Sequence, residues 1–309
     1  MQTTVTTMTN TNTLANTENQ KYEVDFRCMD CHFNAFDRLL TKHEATYNQR
    51  QEFFGYFNLV MGRSVSLTMA QVYSELNREF CRITGVNNPY AKEKAESNSL
   101  SLSLYKKFRT KVLESANPFD MALRLAIAGN IIDYGANANF NVPITIQKVL
   151  ESEFAIDHSK ELIKRIKSAS RILYLGDNAG EIVFDKLFIE MIMHPRLTFA
   201  VRGSHVLNDA TLEDAQQVGM NLVADVISNG YDAPSTVLSE CSEEFLRYYK
   251  EADLIISKGQ GNFEGLIEEN DPRIFHLLMV KCDVVAELLH VKKDSFVVCN
   301  KSITDNSQE

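Results

Sequence analysis

Two regimes of hydrophobic patterning divide the chain, with the change near residue 168. Before it, apolar positions recur close to the helical repeat. Between Cys31 and Leu59 these are Phe33, Phe36, Leu39, Leu40, Tyr47, Phe53, Phe54 and Phe57. Thr68 is placed to cap a helix running through Val72, Leu76, Phe80 and Ile83 and stopping near Gly85. Asn87-Asn88-Pro89-Tyr90 reads as a turn. A further helix is predicted from Leu100 to Leu113. Asn117-Pro118 opens the next, with Asn at the cap and Pro at the first position. Met121 to Ile132 is nearly all apolar, so it predicts a buried helix ending near Gly135. Asn130 and Asp133, polar residues at its end, then need partners.

After Ser168 short β-rich runs alternate with helical ones. The strands expected are Arg171–Leu175, Leu197–Val201, Leu222–Ile227, Asp253–Ser257, Ile274–Leu278 and Phe296–Cys299. The helices expected lie near Glu181–Met193, Asn208–Val218, Ser242–Glu251, Phe263–Glu268 and Asp283–Leu289. Such alternation implies βαβ units and a mostly parallel sheet with helices on both faces. The organisation expected is a disordered tail over 1–20, an all-α domain over 21–160 and a Rossmann-like α/β domain over 161–309. The tail is rich in Thr and Asn, with no basic or apolar leader-like region.

Composition narrows the class without naming the chemistry. The 309 residues are 44% hydrophobic and 24% charged, ordinary for a globular protein. A net charge of −9 argues against bulk nucleic-acid binding, which favours a basic footprint. No apolar run approaches the roughly 18 residues of a membrane-spanning helix. Six cysteines in a chain this long do not make a disulfide scaffold. A cytoplasmic protein with reduced thiols is expected.

Three polar clusters follow expected strands. Gly176-Asp177-Asn178-Ala179-Gly180-Glu181 follows the first strand. Arg202-Gly203, leading to Asn208-Asp209, follows the second. Lys258-Gly259-Gln260-Gly261-Asn262 follows the fourth. In an open α/β sheet such loops meet at the crevice beyond the carboxyl ends of the strands. Asp177, Asn178 and Asp209 are hard oxygen donors suited to a divalent cation. Lys258 supplies positive charge, its glycines allow backbone N–H groups close to an anion, and the helix start at Gly180–Glu181 adds a favourable dipole. Taken alone, Asp177-Asn178 reads as a turn and helix cap. The three clusters together favour a phosphate- and metal-binding site.

These stretches, with Cys28-Met29-Asp30-Cys31, Asn130-Ile131-Ile132-Asp133-Tyr134-Gly135 and Lys281-Cys282, make the chain resemble the damage-control phosphatases. That family has an acidic-residue-methyltransferase-like fold and was formerly a domain of unknown function. The motifs are long, collinear and span everything after the tail. The resemblance implies a divalent metal (Mg, Mn, Co or Ni) held by Asp177, Asn178 and Asp209. It implies hydrolysis of small phosphorylated metabolites, often damaged or side products, such as sugar phosphates. Asp177 and Lys258 are the expected catalytic groups. Asn130, Asp133, Gly180, Glu181, Arg202, Asn208, Gly259 and Asn262 are expected to line the substrate. Asn88-Pro89-Tyr90 departs from the Asp-Pro-Tyr of many members, so an acid's part in the pocket does not carry over there. Either a water or the Asp177 carboxylate itself is a candidate nucleophile.

Cys28 and Cys31 form a lone CxxC, without the preceding strand of a thioredoxin context. With Cys282 it is a candidate zinc or second-metal site, or a set of structural thiols. The seven histidines show no HExxH spacing. A methyltransferase using S-adenosylmethionine is the alternative enzyme, and a non-catalytic metabolite-binding module the alternative outside catalysis. Against the first, Arg202-Gly203 stands where a ribose-binding acid would end the strand. A dinucleotide enzyme lacks its GxGxxG, and a haloacid-dehalogenase phosphatase lacks its Asp-x-Asp.

Overall fold

A computed structural model describes residues 25–64, 67–129, 150 and 152–303. Among them a seven-stranded sheet carries helices on both faces. The chain begins with α1 (Phe26–Lys42), α2 (Tyr47–Gly62) and α3 (Met69–Thr84). The apolar run from Cys31 to Leu59 is thus two helices. Glu44, at φ +52°, breaks the run, and Thr46 starts α2 with a reciprocal Thr46–Gln49 capping box. Thr68 caps α3 in the same way with Gln71, and Gly85 ends it in the left-handed conformation. Helices α4 (Ala91–Glu114) and α5 (Pro118–Ala128) follow, the latter capped by Asn117 with Pro118 at its first position.

The remaining elements alternate: β1 (Ile156–Asp157), α6 (Ser159–Ser168), β2 (Ile172–Leu175), α7 (Ile182–Ile192), β3 (Leu197–Val201), α8 (Leu212–Gln217), β4 (Asp225–Ser228), α9 (Glu243–Glu251), β5 (Leu254–Lys258), α10 (Gly259–Leu266), β6 (Ile274–Met279), α11 (Asp283–Leu289) and β7 (Phe296–Cys299). Three expectations are corrected. The strand expected from Leu222 begins at Asp225, because Met220–Leu222 is a 3-10 turn. The helix expected from Asn208 begins at Leu212, because Asp209 is extended and bridged to Asn178. The glycine-rich stretch after Lys258 is no loop but the first turn of α10.

The sheet order is β1-β7-β6-β5-β2-β3-β4, parallel except between β6 and β7. From β2 the chain moves outward through β3 and β4, then returns to the other side of β2 for β5. The order therefore reverses between β2 and β5, the switch point where such sheets open a crevice.

Side chains alternate across the strands. Ile172 and Tyr174 of β2 join Phe199, Ile256 and Phe275 in a core covered by Phe108 of α4, Leu125 of α5, Leu162 of α6 and Phe184 and Phe188 of α7. Leu173 and Leu175 face the other way, against Phe245 and Tyr249 of α9. Each fully buried side chain of this size contributes about 1.5–3 kcal/mol. Helices α1–α3 enclose a separate core of Phe36, Phe53, Phe57, Leu76 and Phe80, joined to the α/β part through Val206.

Candidate active site

Strand β2 delivers Asp177 and Asn178. Its extension at Gly176 passes so close to Phe199 that a side chain would overlap the ring. Beyond it, residues 177–179 run antiparallel to 208–210. The Ala179 N–H donates to the Asn208 carbonyl at 2.8 Å, and the Ala210 N–H to the Asp177 carbonyl at 2.8 Å. This bridge sets Asn178 opposite Asp209 although 31 positions separate them in the chain.

Arg202, the first residue after β3, is buried among these acids. Its Nε donates to Asp209 Oδ2 at 2.6 Å, Nη1 to Asn262 Oδ1 at 2.7 Å, and Nη2 lies 3.4 Å from Asp177 Oδ1. Asn178 Nδ2 donates to Asp177 Oδ2 at 2.8 Å and to Glu181 Oε2 at 3.1 Å. Asn262 donates to the carbonyls of Gly176 and Lys258, tying α10 to the end of β2.

Lys258, the last residue of β5, is fully buried. Its ammonium donates to Glu181 Oε1 and Asp185 Oδ1, both at 2.6 Å, and to the Ala126 carbonyl at 2.7 Å. An ammonium has three protons, and three acceptors take them. The residue thus faces the back of the site, toward α5 and α7. Tyr174 also donates to Asp185 Oδ1, at 2.8 Å. Burial alone would lower the lysine's pKa, but Asp185 and Glu181 hold it above its ordinary value.

The electrostatics follow from burial. Desolvation, then the neighbouring Asp209 and Glu181 charges, push Asp177 well above the carboxylate range; Arg202 and Lys281 oppose this. Asp209 is raised by burial against the pull of Arg202, Lys94 and Lys281. Asp185 is pushed up to about 7, chiefly by burial. Within this hydrogen-bonded cluster stand four carboxylates (Asp177, Asp209, Glu181, Asp185) and two cations (Arg202, Lys258). Arg202 is shared by Asp177 and Asp209, and Lys258 by Glu181 and Asp185, so each cation faces two buried acids.

Gly259 turns β5 into α10 at φ +81°, and a Cβ there would overlap Asp177 Oδ2. The N-terminal turn of α10 therefore abuts the acidic pair. Gly180, at φ +77°, lets the chain turn into α7 directly against Ser97 of α4. Asn130 and Asp133 lie outside the described residues.

Cys28 and Cys31 sit in the first turns of α1, and Cys282 caps α11. Two hydrogen bonds from Arg27 to Glu287 link these helices. Burial raises the Cys28 thiol to about 11 and also raises Cys31. Among the described residues no three His, Cys, Asp or Glu side chains are gathered so as to hold a metal ion. The set Asp177, Asn178, Asp209 contains only two carboxylates.

Sequence reasoning passed over Lys94, Ser97 and Asn98. They lie at i, i+3 and i+4 on α4 and meet the turns behind Asp177 and Asp209. Their spacing is one helix face, but a polar face reads as solvated. Thr236, which donates to Asn262 at 2.8 Å, was missed as well.

A family model described as the damage-control phosphatase ARMT1-like domain matches residues 24–297. A damage-control phosphatase of Pyrococcus horikoshii is 32% identical over 281 residues, 89% of this chain and 97% of that protein. A damage-control phosphatase of Archaeoglobus fulgidus is 34% identical over 242 residues, 74% of this chain and 81% of that protein. The crystal structure of a DUF89 family protein from Pyrococcus horikoshii matches with a TM-score of 0.82 at 31% identity, covering 91% of this chain and 99% of that one. The chain belongs to the damage-control phosphatase family with its ARMT1-like domain, and it is a hydrolase of phosphoesters.

Proposed function

We propose that this phosphatase is metal-dependent, and that its substrates are phosphomonoesters of small metabolites bound beyond the carboxyl ends of β2 and β5. One observation carries the reading: two buried carboxylates, Asp177 and Asp209, meet through the Asn178–Asp209 bridge with one guanidinium, Arg202, between them. Burial penalises both charges, and beyond the one guanidinium they share a further cation at the pair is favoured. Asp177, Asp209 and the Asn178 amide oxygen are the hard donors such a cation takes. No metal identity follows from them, because Mg²⁺, Mn²⁺, Co²⁺ and Ni²⁺ all accept these ligands.

When bound, the metal supplies charge neutralisation at a phosphoryl oxygen and a water of lowered pKa. The protein groups do the rest. Arg202 fixes the Asp209 carboxylate and meets Asp177. Glu181, through Asn178, sets the amide beside Asp177. Lys258 acts behind them, holding Glu181 and Asp185 in place. The N–H groups at the start of α10 and the Lys281 charge offer attraction to the phosphate. Attack by water and attack by the Asp177 carboxylate are both compatible with these positions. A phosphorylated Asp177 trapped by acid quench of a single turnover selects the second, and its absence at every time point selects the first.

The deciding experiment is a phosphatase screen on p-nitrophenyl phosphate and a sugar-phosphate panel. The protein is stripped of metal and then given Mg²⁺, Mn²⁺, Co²⁺ or Ni²⁺. Release of phosphate only with added metal is expected. Equal release from the stripped protein would sink metal dependence.

A further inference from the structure

The two segments that carry the acidic pair are held from behind by one helix of the N-terminal half. Asn98 of α4 is fully buried. Its Oδ1 accepts from the Gly180 N–H at 2.7 Å, in the turn that follows Asp177 and Asn178. Its Nδ2 donates to Asp214 Oδ1 at 3.0 Å and to Gln217 Oε1 at 2.8 Å, in the helix that follows Asp209. Asp214 is itself fixed at both oxygens. Its Oδ2 accepts from the Thr211 N–H at 2.9 Å and the Thr211 hydroxyl at 2.8 Å, and pairs with the buried Lys94 ammonium at 2.6 Å. Ser97 completes the contact by donating to the Ala179 carbonyl at 3.3 Å, where Gly180 leaves no room for a side chain.

We infer that Asn98, backed by Lys94, is a positioning residue that sets the distance between the Asp177-Asn178 segment and the Asp209 segment. The inference rests on the metal-site reading above and deepens it. The local bridge between 177–179 and 208–210 fixes register, but it is only two hydrogen bonds long. A two-residue bridge alone is a marginal structure. Asn98 closes it into a network around its own buried amide, where breaking one bond strands another buried polar group. Removing a partner behind a ligand set of this kind typically lowers metal affinity 10- to 100-fold.

The test compares wild type with Asn98→Ala, and with Gln217→Ala as a milder variant on an exposed residue should Asn98→Ala not fold. Ser101→Ala is the control; Ser101 is buried one turn along α4, and among the described residues its hydroxyl has no hydrogen-bond partner. Mn²⁺ dissociation constants come from titration calorimetry, and amide exchange is followed at Gly180 in the metal-free protein. The inference expects Asn98→Ala to weaken Mn²⁺ at least about tenfold and to speed Gly180 exchange at least as much. The amides of β2 and the control should not change. Gln217→Ala moves both readouts in the same direction by a smaller factor. Unchanged Gly180 exchange, or Mn²⁺ binding within twofold of wild type in Asn98→Ala, overturns it. Wild type that binds no Mn²⁺, with Gly180 exchange still dependent on Asn98, rejects the metal reading and leaves the tether standing.

Discussion

Lys258 shows how burial changes the meaning of a residue. Its charge sits at the strand end where a phosphate contact is expected, yet two acids and a carbonyl take its protons. Lys258→Met should therefore lower stability by about 3–5 kcal/mol in urea unfolding, because it strands Glu181 and Asp185. A variant that unfolds at the wild-type midpoint while KM rises would instead indicate a substrate contact. Gly259→Ala should act the opposite way. It pushes Asp177 aside and should reduce activity at least about 100-fold while circular dichroism stays native. Wild-type activity would refute the close approach of α10 to Asp177. His276 on β6 is fully buried, held to about 3 by desolvation and beside Ser257. Between pH 6.5 and about 3 the unfolded chain binds a proton that the folded chain refuses. Stability from this group is full above 6.5 and falls as the pH drops. His276→Gln should flatten the fall in urea midpoint between pH 6.5 and 4; an identical slope would exclude His276 as its source.

At the scale of elements, the α1–α3 group and the sheet hold separate apolar cores. They meet through Val206, the Ser74 and Arg78 bonds to Asp232, and the Asn77 bond to the His205 carbonyl. Phe53→Ala removes a fully buried ring from the first core, a loss of about 3–5 kcal/mol. Hydrogen exchange should then rise in α1–α3 and stay near wild type in β2 and β5. Equal deprotection of the strands would show that the two cores unfold as one. Helices α4 and α5 behave differently. They precede the sheet in the chain but share its larger core, and α4 reaches the site through Asn98.

For the whole molecule, the proposed metal site would link folding to metal. A cation that binds only the folded state adds about 2.7 kcal/mol at a hundred times its dissociation constant. In a chain of this length that corresponds to a rise of several degrees in melting temperature. Chelator-treated protein should melt lower and recover with Mn²⁺, and Asp209→Ala should abolish the recovery. A recovery that survives in Asp209→Ala would place the metal elsewhere.

Strand positions were legible because alternation of apolar runs and turn residues is a local signal. Leu197–Val201 and Phe296–Cys299 match their expected bounds, and Thr68, Gly85 and Asn117 mark helix ends as their side chains require. The place of Asp177 and Asn178 at the carboxyl edge of the sheet was legible for the same reason, since they follow a readable strand. The extended course of residue 209 was not, because its partner at 178 lies beyond the neighbouring strand, 31 positions away in the chain. Nor was the face of Lys258, which depends on α7 crossing behind β5 with Glu181 and Asp185 on its inner side. Lys94 and Asn98 carry no signal in the chain: a polar helix face looks the same whether it meets water or Gly180 and Asp214. Local patterning determined the elements and which polar residues stand at their ends. The tertiary structure alone decided which charges are buried together, because desolvation and pairing depend on neighbours that sequence distance does not reveal.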